Sequence, residues 1–87
     1  MLTNEVYTPI NCDDYDNLEL ACQNKWVLTM ALKNGEQLQA RAEDIVSRKN
    51  VEYLSIQVSG ACQHLRLDHI FSFSHPELGT VVVSDPD

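Results

Sequence analysis

The residues best placed to do chemistry lie close together near the start of the chain. Asp13, Asp14, Asp16 and Glu19 set four carboxylates within seven residues, with Tyr15, Asn17 and Leu20 among them. Paired carboxylates work as general acid and base only in a desolvated pocket that separates their pKa values. At an exposed helix start the same acids serve capping and the helix dipole, so no catalytic residue is expected and the chain reads as a non-enzyme. Cys62-Gln63-His64, with His69 and His75 downstream, carries metal-ligand side chains. It lacks the C-x-x-C or H-x-x-x-H spacing of a zinc site, so no metal and no other cofactor is expected. No glycine-rich phosphate loop, G-x-S-x-G or H-E-x-x-H occurs. Ser47-Arg48-Lys49-Asn50 holds the one basic pair, in what reads as a solvated loop. Tyr53, Phe71 and Phe73 could stack on bases, but their alternation fits a core role better.

Composition narrows the partners. The 87 residues suffice for one small domain with one modest core. Thirteen acidic against six basic residues give a net charge of −7, and residues 1–24 hold five acids with no Lys or Arg. Such a surface repels phosphate backbones, so direct binding of RNA or DNA is disfavoured. Its field steers it toward a basic protein surface instead. Cys12, Cys22 and Cys62 are odd in number and unpaired in spacing, which suits free thiols in a reducing compartment. No apolar run approaches the roughly 20 residues that cross a bilayer, and Met1–Glu5 lack a basic leader region. The expected location is cytoplasmic, with no membrane partner.

Those residues need elements to position them. Asn11 can cap a helix of about three turns that ends near Asn24 or Lys25, with Tyr15, Leu18, Ala21 and Cys22 on its apolar face. Asp13, Asp16, Asn17 and Leu20 then point the other way, with Glu19 at the flank. Most such faces are simply solvated. Here the acids have no i,i+4 base and surround a large apolar residue, Leu20, which marks a docking surface for a basic partner. From Val27 the period becomes two. Strands are expected over Val27–Leu32, Gln37–Ala42, Val51–Val58, Cys62–Leu67, a stretch reaching Phe73, and Thr80–Ser84. Asn34-Gly35 predicts a type I′ hairpin, and Glu43–Asn50 reads as a polar connector. Residues 1–8 and 85–87 are expected to fray. A helix followed by five or six short strands is an α+β arrangement, with the helix covering a small closed barrel or sandwich.

Three segments carry a resemblance. Ile10-Asn11-Cys12-Asp13-Asp14-Tyr15-Asp16-Asn17-Leu18-Glu19-Leu20-Ala21-Cys22, Val46–Leu54 and Phe73–Glu77 with Gly79–Val83 together resemble the bacterial Rho-binding antiterminator family, Rof. The resemblance runs from about Tyr7 to Ser84. It implies an N-terminal α-helix on an Sm-like antiparallel β-barrel of five or six strands. It also implies a partner, the hexameric transcription termination factor Rho, bound at the primary RNA-binding site of its N-terminal domain so that termination is blocked. On that reading Asp13, Asp14, Asp16 and Glu19 occupy a basic RNA site as a phosphate-like surface. Tyr15, Asn17 and Leu20 are neutral contacts, and Arg48, Lys49 and Asn50 form a weaker second patch. The free protein is expected to be a monomer. Two rivals stand beside this: an Sm-like RNA chaperone that uses the barrel itself, and a small enzyme or metal protein built on Cys62, His64 and His69.

Overall fold

The computed structural model describes Tyr7 and residues 9–83. The expected ends, residues 1–6, Thr8 and 84–87, lie outside the described residues; Tyr7, within the stretch expected to fray, is half-buried. The chain forms helix α1 (Cys12–Asn24), then strands β1 (Val27–Leu32), β2 (Gln37–Arg48), β3 (Val51–Val58) and β4 (Ala61–Arg66). A 3-10 turn over Leu67–His69 leads to β5 (Ile70–His75) and β6 (Gly79–Val82). All pairings are antiparallel, in the order β4-β3-β2-β1-β5-β6. The α+β class is therefore as the sequence indicates.

The expected closed barrel is replaced by an open six-stranded sheet, with β4 and β6 as its edges. The edges themselves explain this. Residues 61–64 of β4 are all exposed, and β6 exposes Gly79, Thr80 and Val82, so neither offers an apolar row whose burial would reward closure. The 3-10 turn instead carries β5 across to the far side of β1, where Met30 pairs with Phe73.

The core lies between α1 and the sheet. Leu18, Ala21 and Cys22 of the helix meet a layer that includes Leu28, Met30, Leu54, Ile56, Ile70 and Phe73. The helix rests on β2, where Ala40 and Ala42 are buried and small, so the two backbones can approach closely. Leu28, Met30 and Leu32 fill the buried phase of β1, as its alternation predicts.

Two connections differ from expectation. The polar stretch from Glu43 is no connector; β2 continues to Arg48 across a bulge between Ala42 and Asp44. The extra residue shifts the period-two phase, which hides the strand from an alternation count. The type I′ geometry belongs to Lys49-Asn50, with φ of 51° and 67°, in the two-residue turn between Arg48 and its partner Val51. At Asn34-Gly35 only Gly35 takes positive φ, 95°, and its N–H donates to Leu32 C=O at 2.9 Å, a three-residue loop of the glycine-bulge kind. Smaller shifts concern strand ends: β4 stops at Arg66, and the last strand spans Gly79–Val82 within the described residues.

Candidate functional site

Helix α1 is capped at both ends by its own sequence. Asn11 Oδ1 accepts the Asp13 N–H at 2.8 Å, and the Tyr15 N–H donates to Asn11 C=O at 3.0 Å. Lys25 takes a left-handed conformation, φ 53°, and its N–H donates to Cys22 C=O. These caps fix the helix phase, and with it the side chains presented outward. Asp13, Asp16, Glu19 and Leu20 are exposed, Leu20 to 40%, and Asn17 is half-buried.

Asp14 departs from the reading of the sequence. It is only 8% exposed, on the buried face with Leu18, Ala21 and Cys22. The spacing explains it: Asp14 lies four residues before Leu18 and seven before Ala21, in the same stripe. Tyr15 is half-buried, as its apolar spacing indicates, and leans toward Glu52 at the start of β3. The Tyr7 hydroxyl donates to Glu52 Oε1 at 3.3 Å. Burial, reinforced by that carboxylate, pushes both phenols above the usual tyrosine range.

The distribution of charge separates this helix face from the rest of the surface. Arg41 Nε donates to Glu43 Oε2 at 2.6 Å, and Lys25 Nζ lies 3.4 Å from Glu43 Oε1. The Arg41 hydrogen bond holds the Glu43 carboxyl below its ordinary pKa, with Lys25 adding to the effect. Arg66 makes a two-pronged contact with Asp68 at 3.0 and 2.8 Å. Three of the six cations are thus committed to carboxylates away from the outer face of α1. Asp13, Asp16 and Glu19 form no ion pair among the described residues.

Arg48, Lys49 and Asn50 are exposed at the β2–β3 turn. Arg48 is held on two sides: its guanidinium sits 4.9 Å from the Tyr53 ring centroid, and Nη2 donates to His64 Nδ1 at 2.9 Å. Glu52, two residues beyond Asn50, is the group that Tyr15 approaches from α1, so the helix and this turn share one anchoring residue.

A cleft of about 530 Å³ opens between the later turns of α1 and the β2 bulge, lined in part by Tyr15, Glu19, Lys25, Glu43 and Asp44. Sequence reasoning missed it because Glu43 and Asp44 read as connector; the acidic pair was the available signal. Cys22 closes one wall, and burial raises its thiol to about 11, with Asp44 contributing. Among the described residues no three His, Cys, Asp or Glu side chains stand together as metal ligands. His64 meets Arg48, His75 stacks on Trp26 at 4.1 Å, and Cys62 Sγ lies 3.5 Å from Ser55 Oγ. Phe73 is fully buried, but Phe71 is 51% exposed, because the bulge opposite Ala31 and Leu32 turns it out of the alternation.

Residues 9–83 match the family model described as modulator of Rho-dependent transcription termination (ROF). The chain belongs to the Rof family. Two relatives, each named Protein rof, from Escherichia coli (strain K12) and Shigella flexneri, are 67% identical to it over 82 residues. Those matches cover 94% of this chain and 98% of each relative. The structure of YaeO bound to magnesium from Vibrio cholerae O395 superimposes with a TM-score of 0.69, covering 78% of this chain and 95% of that one. At 22% identity, that likeness speaks for the fold alone. Like the rest of the Rof family, the chain modulates Rho-dependent transcription termination.

Proposed function

We propose that the protein binds Rho directly and suppresses termination by covering the primary RNA-binding site of Rho's N-terminal domain. One observation carries this reading: Asp13, Asp16 and Glu19 form an exposed acidic face around Leu20, with no ion pair among the described residues. A site that holds RNA phosphates must be cationic, and such a face matches it in sign. Leu20 supplies the apolar centre that most protein interfaces need. Asn17 and the edge of Tyr15 add neutral contacts, and Arg48, Lys49 and Asn50 form a secondary patch. Asp14 acts from the buried side, through the placement of the helix. The role is a cytoplasmic, stoichiometric one without chemical turnover, played by a monomer that makes no RNA contact of its own.

The test is a competition titration. Rho is pre-bound to a fluorescent cytosine-rich RNA, the protein is added, and anisotropy is followed at low and moderate salt. Displacement of RNA, strongest at low salt, is expected. Retained RNA with the protein co-sedimenting on Rho would place its action elsewhere on the hexamer, and the occlusion reading would fail.

A further inference from the structure

From the packing around Arg48 we infer that His64 is a positioning residue for the secondary patch, and that its protonation releases Arg48 and makes Rho binding sensitive to pH. The inference rests on the proposed Rho surface and concerns a residue outside it.

An arginine guanidinium has donors and no acceptor. The 2.9 Å contact from Arg48 Nη2 therefore requires a lone pair on His64 Nδ1. In that tautomer Nε2 carries the ring proton. Protonating Nδ1 removes the only acceptor in the contact and sets a second positive charge against the guanidinium. Attraction becomes repulsion at the same distance. Tyr53 provides the other wall, its ring tilted 44° to the imidazole with centroids 6.3 Å apart, and the guanidinium lies 4.9 Å from its centroid. Stacking alone leaves the guanidinium free to rotate over the ring. The hydrogen bond to His64 fixes its direction.

The surroundings give a protonated His64 little compensation. It lies on edge strand β4 opposite Ser55 of β3, so one strand flanks it. By strand alternation Cys62 and Arg66 share its face on β4, Tyr53 and Ser55 face it from β3, and Arg48 reaches it from β2. Asp44 lies one strand further across, opposite Ser55, and its carboxylate accepts the Ile45 N–H at 2.9 Å. Arg66 is already bound to Asp68. The contact is therefore intact while His64 is neutral and lost once it is protonated.

The decisive measurement is Rho affinity at pH 7.5 and 5.5 for the full chain and four variants, taken as the ratio of the two Kd values so that titration of Rho itself cancels between proteins. His64→Gln keeps a neutral acceptor for Arg48 at every pH, whereas His64→Leu offers none. The wild-type ratio is expected to exceed that of His64→Gln by about threefold, the scale of one exposed charge-assisted contact. His64→Leu is expected to be weakened already at pH 7.5 and to lose the extra pH response. Equal ratios for wild type and His64→Gln would overturn the inference. Arg48→Gln separates the two levels. If it leaves affinity unchanged while Asp16→Lys weakens it, the secondary patch and its pH control both fall and the helix reading stands. If neither variant matters, the proposed Rho surface itself is wrong.

Discussion

At the residue scale, Asp14 and Asp16 separate two jobs that four clustered acids appeared to share in the sequence. Asp16 is exposed, so Asp16→Lys should weaken Rho binding by at least about 1 kcal/mol, roughly fivefold, with an unchanged melting temperature. Isothermal titration beside a thermal melt reads both numbers. Asp14→Lys puts a cation onto the buried stripe beside Leu18 and should lower stability first; a variant that melts like wild type would contradict its burial. Thiol reactivity probes the same face. Cys22 is buried, with its thiol raised to about 11, while Cys12 and Cys62 are exposed. At pH 8, alkylation followed by intact mass should show two fast additions and a third that appears only on unfolding. Glu43 adds a pH dependence. Its carboxyl is held below the ordinary value when folded, so its contribution is present above the ordinary carboxylate range and is lost as pH falls through the lowered pKa. Glu43→Gln should therefore melt below wild type near neutrality, with the gap closing in acid.

At the element scale, the β2–β3 turn invites a test that moves stability and binding in opposite directions. Lys49 has a side chain at φ 51°, a left-handed conformation that costs a non-glycine residue about 1 kcal/mol. Lys49→Gly should relieve that strain and raise stability by about that amount, while removing a cation from the patch and weakening Rho binding. Chemical denaturation and the competition titration read the two effects. The elements were legible in the sequence wherever their periods were clean. Asn11 with Leu18, Ala21 and Cys22 marks the helix and its phase, and Leu28 with Met30 marks β1. The outer face of α1 was legible for the same reason. Asp14 was not, because a polar residue in a buried stripe is invisible to a count of apolar positions. The end of β2 and the exposure of Phe71 were obscured by bulges, whose extra residue breaks alternation without any composition signal. The Arg48–Tyr53–His64 cluster joins three strands, and its members come together only through the register of two hairpins.

At the scale of the whole molecule, a net charge of −7 and an acidic helix face make binding to a cationic surface long-ranged and salt-sensitive. Raising ionic strength from about 0.05 to 0.3 M should slow association with Rho far more than it speeds dissociation, as stopped-flow mixing would show; equal changes in both rates would argue against steering. Whether the six strands closed into a barrel was not legible, because closure depends on edges that meet only after the sheet has formed, and here they stay apart. The strand order also has a consequence for how the chain comes to be folded. β1 through β4 are neighbours in sequence and can pair as successive hairpins, but the other side of β1 is completed by β5, reached only after the whole meander. Ile70 and Phe73, both fully buried, arrive with it. During synthesis the outer edge of β1 therefore stays unpaired until the ribosome has delivered β5. A product truncated before β5 would lack Ile70 and Phe73, and with them part of the core beneath the helix.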